Sequence, residues 1–114
     1  MKIIDKTRNT VLAEDAKVAV SIVSRIKGLL GRKKLGSGEA LIIKRCNAVH
    51  TFFMRFAIDI LFLDKDNRLV KIIPSFKPFR LTAVYLKAVT TIELPAGASQ
   101  AASVEEGDII QFEP

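Results

Sequence analysis

The sequence predicts a mainly β fold of the α+β class: a small antiparallel β-barrel or sandwich with one main helix and a candidate second short helix. Many short apolar runs are separated by turn-forming residues, and one early window shows helical spacing. An apolar share of 49% in 114 residues is enough to bury a core without disulfides. Because no stretch resembles a linker or a repeat, residues 1–114 are expected to form a single domain.

The first elements are predicted from local patterns near the N-terminus. Short strands at Lys2–Ile4 and Thr10–Leu12 flank the turn-forming sequence Thr-Arg-Asn. A helix follows over Ser21–Leu30, where apolar residues recur at helical spacing. Its serine can cap the start of the helix, and Gly31 can end it.

From Gly36 onward the pattern is typical of strands joined by turns. Strands are predicted at Ala40–Lys44, Phe52–Phe56, Ile58–Asp64, Leu69–Ile73, Val89–Leu94 and Ile109–Phe112. Asp64–Asn67 has the composition of a turn. Prolines 74 and 78 are expected to bound a loop, because neither can donate to a central strand ladder. The alanine-rich stretch Ala96–Ser103 predicts the second helix.

The charge of the chain is unevenly distributed. The net charge is +6, yet all 18 Lys and Arg lie in 1–87, while 88–114 hold five acids and no base. Such a basic protein favours acidic partners, although internal charge complementarity explains much of the pattern. The densest group, Arg25–Lys34, lies near the predicted helix end, where the helix dipole favours cations without any ligand. Nucleic acid is therefore a disfavoured partner.

Composition also sets expectations about compartment and partners. A lone cysteine permits no internal disulfide and suits a reducing compartment. No apolar run reaches the length of a membrane helix, and the N-terminus lacks the apolar core of a secretory signal. We expect a cytoplasmic protein, a monomer, with no cofactor, no bound metal and no membrane association.

Asp59 is the most informative single residue. It lies between large apolar residues in 57–63, a run predicted to be buried on both faces. A carboxylate there must be paired, hydrogen-bonded or neutralised. One interpretation is a tuned acid, base or ligand-orienting group. The simpler one is a carboxylate that accepts bonds from a neighbouring loop's amides or from Arg55.

Cys46 and His50, the sole cysteine and the sole histidine, are four residues apart. A thiolate–imidazole pair requires the chain to bend at Asn47–Ala48, since an extended strand would separate them by about 13 Å. With such a bend, Cys46 would be a candidate nucleophile, His50 its base and Asp59 the group that orients the imidazole. The alternative is an inert thiol and a core histidine. Two ligands are too few for a zinc site.

Three further cations are candidates for ligand binding together with Asp59. Arg55 interrupts an apolar run, and its guanidinium can hold a carboxylate or a phosphate bidentately. In the loop Pro74–Arg80, Lys77 and Arg80 alternate with aromatic residues, a composition suited to planar or anionic ligands.

These segments taken together resemble the prokaryotic family known as domain of unknown function 192. The resemblance covers nearly the whole chain and includes Ala40–Ile43, Cys46, His50–Phe56, Ile58–Asp59, Lys77–Pro78 with Arg80, Glu93–Gly97 and Gly107–Asp108. It implies a small barrel-like β domain and no established activity. Ala57 stands where the family typically has proline. Family branches that lack the Cys and His residues weigh against catalysis and leave Asp59 as the more general feature.

Three hypotheses about function follow. The leading one is a non-enzymatic binding module, in which Arg55, Asp59, Lys77 and Arg80 hold a small anionic ligand or a partner protein. Its rival is an enzyme with Cys46 as the nucleophile, and the third is a weak nucleic-acid binder through the basic N-terminal two-thirds.

Overall fold

A computed structural model describes residues 1–19 and 35–114. Two sheets are present in this part of the chain, one of three strands in the order β2-β1-β8 and one of five strands in the order β3-β4-β7-β5-β6. The strands are β1 (Lys2–Asp5), β2 (Thr10–Ala13), β3 (Asp15–Ala19), β4 (Glu39–Lys44), β5 (Ile58–Leu63), β6 (Leu69–Phe76), β7 (Thr90–Pro95) and β8 (Ile110–Glu113); the helix α1 spans Ala98–Ala101.

The mainly β class and the two-sheet, sandwich-like arrangement are confirmed, and so is the short helix near residue 100. The predicted main helix, Ser21–Leu30, and the basic group Arg25–Lys34 lie outside the described residues. β3 was not predicted, and it pairs with β4 in parallel, whereas the other strand pairs in both sheets are antiparallel.

The predicted strand Phe52–Phe56 is wrong, because this segment consists of turns and bends. The expectation that Pro74 begins a loop is also wrong, since Pro74 lies inside β6. A proline is tolerated there because β6 is an edge strand of the five-stranded sheet, where half of the backbone amides need no partner strand. The turn at Asp64–Asn67 is confirmed: Asp64 Oδ1 accepts bonds from the amides of Asp66 and Arg68, both at 2.9 Å.

Both faces of the five-stranded sheet are covered, so its interior strand β5 is buried along its whole length. One face packs against the three-stranded sheet in a core cluster that includes Ile3, Ile42 and Leu61. The other face carries a second cluster, in which Ile60 and Phe62 of β5 meet residues from two loops, 45–57 and 77–89. These loops therefore form a third layer, and they hold most of the predicted site residues.

Candidate functional site

Asp59 lies on β5 with a fully buried side chain, at 0% exposure. Its Oδ1 accepts hydrogen bonds from the amides of Ser75 (2.8 Å) and Gly97 (3.2 Å). Its Oδ2 accepts from the Gly97 amide (3.2 Å), the Ser99 amide (2.9 Å) and the Ser99 hydroxyl (2.6 Å). The prediction that this buried carboxylate is hydrogen-bonded is confirmed, and the donors recorded for it among the described residues are uncharged.

These bonds place Asp59 between two irregular pieces of backbone. Opposite Asp59, β6 contains a β-bulge, and the Ser75 amide in that bulge points at the carboxylate while Ser75 adopts φ 47°. On the other side, Gly97 at φ 93° forms the turn that starts α1. Asp59 therefore joins the end of β6, from which the loop to Arg80 continues, to the start of α1. In this arrangement Asp59 positions these two backbone segments.

The three cations that the sequence analysis grouped with Asp59 do not pair with it. Arg55, Lys77 and Arg80 are all exposed. Within residues 1–19 and 35–114, the recorded salt bridges involve Lys2 and Arg8, and none joins Asp59 to a base. Asp59 is thus bonded to amides and a hydroxyl and not to these three cations.

The chain does bend between Cys46 and His50, as a contact between them requires. The Cys46 thiol, however, donates to the carbonyl of Ala48 at 3.1 Å. His50 Nδ1 accepts from the Phe52 amide at 3.3 Å, and the imidazole stacks on the Phe52 ring with centroids 5.3 Å apart. No hydrogen bond between the Cys46 thiol and the His50 imidazole is recorded for these two described residues.

The loops 45–57 and 77–89 run antiparallel to each other, and we call them together the cationic ribbon. His50 forms an isolated antiparallel bridge with Leu81. Further along, the Thr82 amide donates to Val49 O (3.0 Å) while the Val49 amide donates to Thr82 Oγ1 (3.0 Å). These cross-links make the ribbon a single ordered unit even though neither loop is a regular strand.

Thr51 supplies the densest set of cross-links in the ribbon. It is fully buried, and its hydroxyl donates to the Lys77 carbonyl (2.7 Å) and accepts from the Arg80 amide (3.0 Å). Its backbone amide donates to Arg80 O, and its carbonyl accepts from the Phe79 amide, both at 2.9 Å. A single threonine therefore fixes the backbone on both sides of Phe79.

The inner side of the ribbon packs on the five-stranded sheet. Val49, Met54 and Ala88 are buried in the second core cluster. The Tyr85 ring lies 4.7 Å, centroid to centroid, from the ring of Phe62 on β5. Because burial of large side chains stabilises by about 1.5–3 kcal/mol each, these contacts anchor the ribbon to the core.

The outer side of the ribbon exposes apolar side chains. The described residues include nine exposed large apolar side chains, and seven of them belong to the ribbon: Phe52, Phe53, Phe79, Leu81, Val84, Leu86 and Val89. Exposure is 71% for Phe53, 54% for Phe79 and 87% for Leu86. A concentration of exposed apolar side chains on one surface usually marks an interaction site.

Phe53 and Phe79 also share an unusual backbone conformation. Their φ angles are 64° and 60°, in the left-handed region that bulky residues rarely occupy. Their rings meet edge to face, with centroids 5.7 Å apart. A left-handed conformation costs a non-glycine residue on the order of 1–2 kcal/mol, and such strain concentrates at functional sites. The ribbon therefore holds two strained phenylalanines with their rings turned outward.

Exposed cations are interspersed along the ribbon with these apolar residues, and the ribbon contains no acidic residue. Its bases are Arg45, Arg55, Lys77, Arg80 and Lys87, all of them exposed. Arg55 follows Phe53 by two positions, and Arg80 follows Phe79 directly. The outer surface of the ribbon thus combines apolar side chains with charges of positive sign only.

A second group of buried charges lies at the turn between β1 and β2, and sequence analysis did not identify it. Asp5 and Asp108 are both buried, and Asp5 Oδ1 accepts from the Arg8 amide at 3.2 Å. Arg8 Nε donates to Asp108 Oδ2 at 2.8 Å, and its guanidinium also pairs with Glu105 Oε2 at 2.5 Å. Asp5 Oδ2 has no hydrogen-bond donor among the described residues.

The pKa values of these two carboxyl groups shift in opposite directions. Burial, followed by the hydrogen bond to Asp108, raises the pKa of Asp5 to about 6. Burial would also raise the pKa of Asp108, but hydrogen bonds from Asp5, the Glu105 amide and Arg8 outweigh it and lower that pKa. Asp5 therefore keeps its proton to a higher pH than Asp108 does. The cluster ties the β1–β2 turn to the turn before β8.

A cavity of about 460 Å³ lies on another side of the molecule, between β2, the Ser37–Gly38 turn and α1. Gly97 lines it and also binds Asp59, but Arg55, Lys77 and Arg80 do not reach it. The charged residue in its lining is Glu14. A carboxylate disfavours an anionic ligand there, so this cavity does not suit the small anion that the sequence suggested.

The described ranges 1–19 and 35–114 contain neither a candidate metal cluster nor a helix able to cross a bilayer. No cluster of three or more His, Cys, Asp or Glu side chains is arranged as a metal site in these ranges. No helix within them has the length and hydropathy needed to cross a bilayer.

Sequence reasoning missed several residues that the geometry makes important. Thr51 and Thr82 cross-link the ribbon, and Ser99 supplies two of the donors to Asp59. The sequence offered one signal for the ribbon: around Phe79, aromatic residues alternate with basic residues. No local pattern distinguishes a cross-linking threonine from an ordinary surface threonine.

Comparisons with known proteins agree with this architecture. A UPF0127 protein of Thermococcus kodakarensis is 32% identical, covering 98% of this chain and 73% of its own length. A UPF0127 protein of Pyrococcus horikoshii is 31% identical, covering 96% of this chain and 97% of its own. A crystal structure of a protein of unknown function from Novosphingobium aromaticivorans has a TM-score of 0.84 at 19% identity, covering 98% and 84% of the two chains.

That structural likeness concerns the fold. The model of the family called domain of unknown function 192, described as an uncharacterized ACR, matches residues 3–112. With this match over almost the whole length, the chain belongs to the family called domain of unknown function 192.

Proposed function

We propose that this protein is a non-enzymatic binding module that docks a segment of a partner protein on the cationic ribbon. The observation that carries the proposal is the Phe53–Phe79 pair. Both rings are exposed, both residues adopt left-handed φ, and Thr51 fixes the backbone around one of them. Strain and exposure together are costly for folding, so they favour a role outside folding.

The distribution of apolar side chains favours a protein partner over a small molecule. The exposed apolar residues extend along the ribbon from Phe53 at one end, through Leu81, to Leu86 at the other. Small-molecule sites are concave and bury most of their ligand, whereas side chains this exposed protrude. Aromatic anchors on a protruding surface are typical of the residues that carry most of the energy in protein interfaces.

The same distribution disfavours nucleic acid and catalysis. Single-stranded nucleic acid stacks on aromatic rings, yet Leu81, Val84 and Leu86 offer no ring. For the enzymatic alternative, the Cys46 thiol donates its hydrogen bond to a carbonyl, not to an imidazole that would activate it. The ribbon is thus better suited to docking than to chemistry.

A phage-displayed library of random peptides tests the proposal directly. The library is selected on the wild-type protein, and the enriched peptides are then measured against Phe53→Asn/Phe79→Asn. Asparagine tolerates left-handed φ, so this variant keeps the ribbon backbone while removing both rings. Val11→Ser is the matched control, because Val11 is 46% exposed but lies on β2.

We expect enriched peptides to lose at least about tenfold in affinity, roughly 1.4 kcal/mol, on the double variant and to bind the control unchanged. Equal binding to the wild type and the double variant would refute the ribbon as the docking surface. A selection that enriches no peptide above background would refute the proposal as well.

A further inference from the structure

We infer that the partner segment docked by the ribbon is acidic, with apolar side chains flanked by carboxylates. This inference rests on the proposed function and specifies the chemistry of the partner. It comes from a separate observation: the sign and the placement of the charges around the two anchor rings.

The positive charge of the ribbon is not neutralised within the ribbon. Its five bases are exposed, and neither loop contains an acid. The acid nearest in sequence, Asp59, is fully buried with its charge bound by amides. Other described acids, such as Glu14, Asp66 and Glu105, lie at turns elsewhere in the fold. Charges of one sign on one surface attract a partner of the opposite sign and speed its association.

Each anchor ring has its own guanidinium close by in the chain. Arg80 directly follows Phe79, and its backbone amide and carbonyl are both bonded to Thr51. Arg55 follows Phe53 by two positions on the opposite loop. Guanidinium groups bind carboxylates bidentately, which adds direction to the attraction. An apolar side chain against the two rings would therefore place its neighbouring residues beside Arg55 and Arg80.

Two other anionic partners share this charge chemistry, and the geometry favours the peptide. A bilayer surface would be matched by apolar side chains gathered at one apex, but here they are spread along both loops. Nucleic acid would require more rings than the aliphatic part of the ribbon supplies. An extended acidic segment, with anchors repeated along its length, matches the spread.

Three synthetic peptides test the acidic nature of the partner separately from the docking surface. The first alternates Glu with Leu and Phe, the second replaces every Glu with Gln, and the third keeps Glu but replaces Leu and Phe with Ser. Fluorescence anisotropy measures each peptide against the wild type and against Arg55→Gln/Arg80→Gln. The control is Lys17→Gln/Lys65→Gln, which removes two exposed bases outside the ribbon.

We expect the first peptide to bind most tightly, to weaken at least about tenfold on the arginine variant and less than about twofold on the control, and to weaken with added salt. Equal binding of the first and second peptides would overturn the acidic partner while leaving the docking surface in place. If neither the first nor the second peptide binds, the docking surface is overturned too. Binding of the third peptide as tightly as the first would also overturn it.

Two competition arms test the other anionic partners. Vesicles rich in phosphatidylserine and single-stranded oligodeoxythymidine are added to the complex with the first peptide. We expect neither to displace it. Displacement from the wild type by vesicles or by the oligonucleotide would overturn the peptide in favour of that competitor.

Discussion

Asp59 and the cationic ribbon are both unusual in polarity for where they lie, but in opposite ways. Asp59 is a charge inside the core, and both of its carboxylate oxygens accept hydrogen bonds. The ribbon presents large apolar side chains outside the core, two of them in strained backbone. The sequence supplies several donors to this buried carboxylate, whereas it leaves two phenylalanines, Phe53 and Phe79, exposed. Their retention on one surface is what points to a partner.

The comparison predicts its largest effect at Asp59. Asp59→Ala removes the acceptor of the buried Ser99 amide and hydroxyl and of the part-buried amides of Ser75 and Gly97. We expect the free energy of unfolding to fall by about 3–5 kcal/mol, since each orphaned buried group costs about 1–3 kcal/mol and the losses are not additive. Urea denaturation measures it, with exposed Asp66→Ala as the control. A loss below about 1 kcal/mol would contradict this account of the carboxylate.

Asp5 sharpens the comparison because it is a buried carboxylate that is less completely satisfied. Its folded pKa is raised from 3.8 to about 6, so the folded state favours the protonated form. Its stabilising contribution is therefore fully present below about pH 4 and is lost as the pH rises through about 6. Asp108 has a lowered pKa and acts in the opposite direction, losing its contribution as the pH falls below the usual carboxyl range.

Asp5→Asn removes the ionisation and keeps a permanent donor toward Asp108. We expect the variant to be more stable than the wild type above pH 7 by about 1–2 kcal/mol, with a flatter dependence on pH between about 4 and 6. Urea denaturation across this pH range gives the two curves, and exposed Asp15→Asn serves as the control. Parallel curves for the variant and the wild type would contradict the raised pKa of Asp5.

Thr51 tests whether the ribbon is ordered by its own cross-links. Thr51→Val keeps the shape of the side chain but removes the bonds to Lys77 O and from the Arg80 amide. We expect a loss of about 1–2 kcal/mol in stability and faster hydrogen exchange at the Arg80 amide. Thr10→Val, which removes a single 3.4 Å bond, is the control. Unchanged exchange at Arg80 would mean that packing alone orders the loop.

The smallest predicted effect concerns the strain of the exposed rings. Phe53→Asn relieves an unfavourable left-handed conformation and gives up only part of an edge-to-face contact. Since these terms are each about 1 kcal/mol and oppose one another, we expect the melting temperature to stay level or rise slightly. A clear fall in melting temperature would show that Phe53 stabilises the fold. Its exposure would then no longer point to a partner.

Much of the fold was predictable from the sequence because its strands and turns are coded locally. The apolar runs at β4, β5 and β7 and the turn Asp64–Asn67 were identified from composition and spacing. The prediction for Phe52–Phe56 failed because its apolar composition matches a strand, whereas its backbone is set by Thr51 and by a left-handed Phe53. The parallel pairing of β3 with β4 depends on distant residues, so no local pattern could indicate it.

For the site, the sequence identified which residues were unusual but not which residues they meet. Asp59 stood out as a charge in an apolar strand, and its burial follows from that. Its donors are mostly backbone amides from 16 to 40 positions away, and backbone amides carry no signature of residue type. The same holds for Asp5, whose partner Asp108 is brought near it only by the pairing of β1 with β8.

The proline in β6 has a consequence for how any partner can approach. Pro74 has no amide hydrogen, the neighbouring bulge interrupts the regular spacing of backbone groups, and the Ile72 amide is occupied by Glu106 Oε2 at 3.3 Å. Another chain therefore finds no continuous ladder along this margin of the five-stranded sheet. Neither fibrous stacking of copies nor the addition of a foreign strand is favoured there, which leaves side-chain recognition as the mode of contact at this margin.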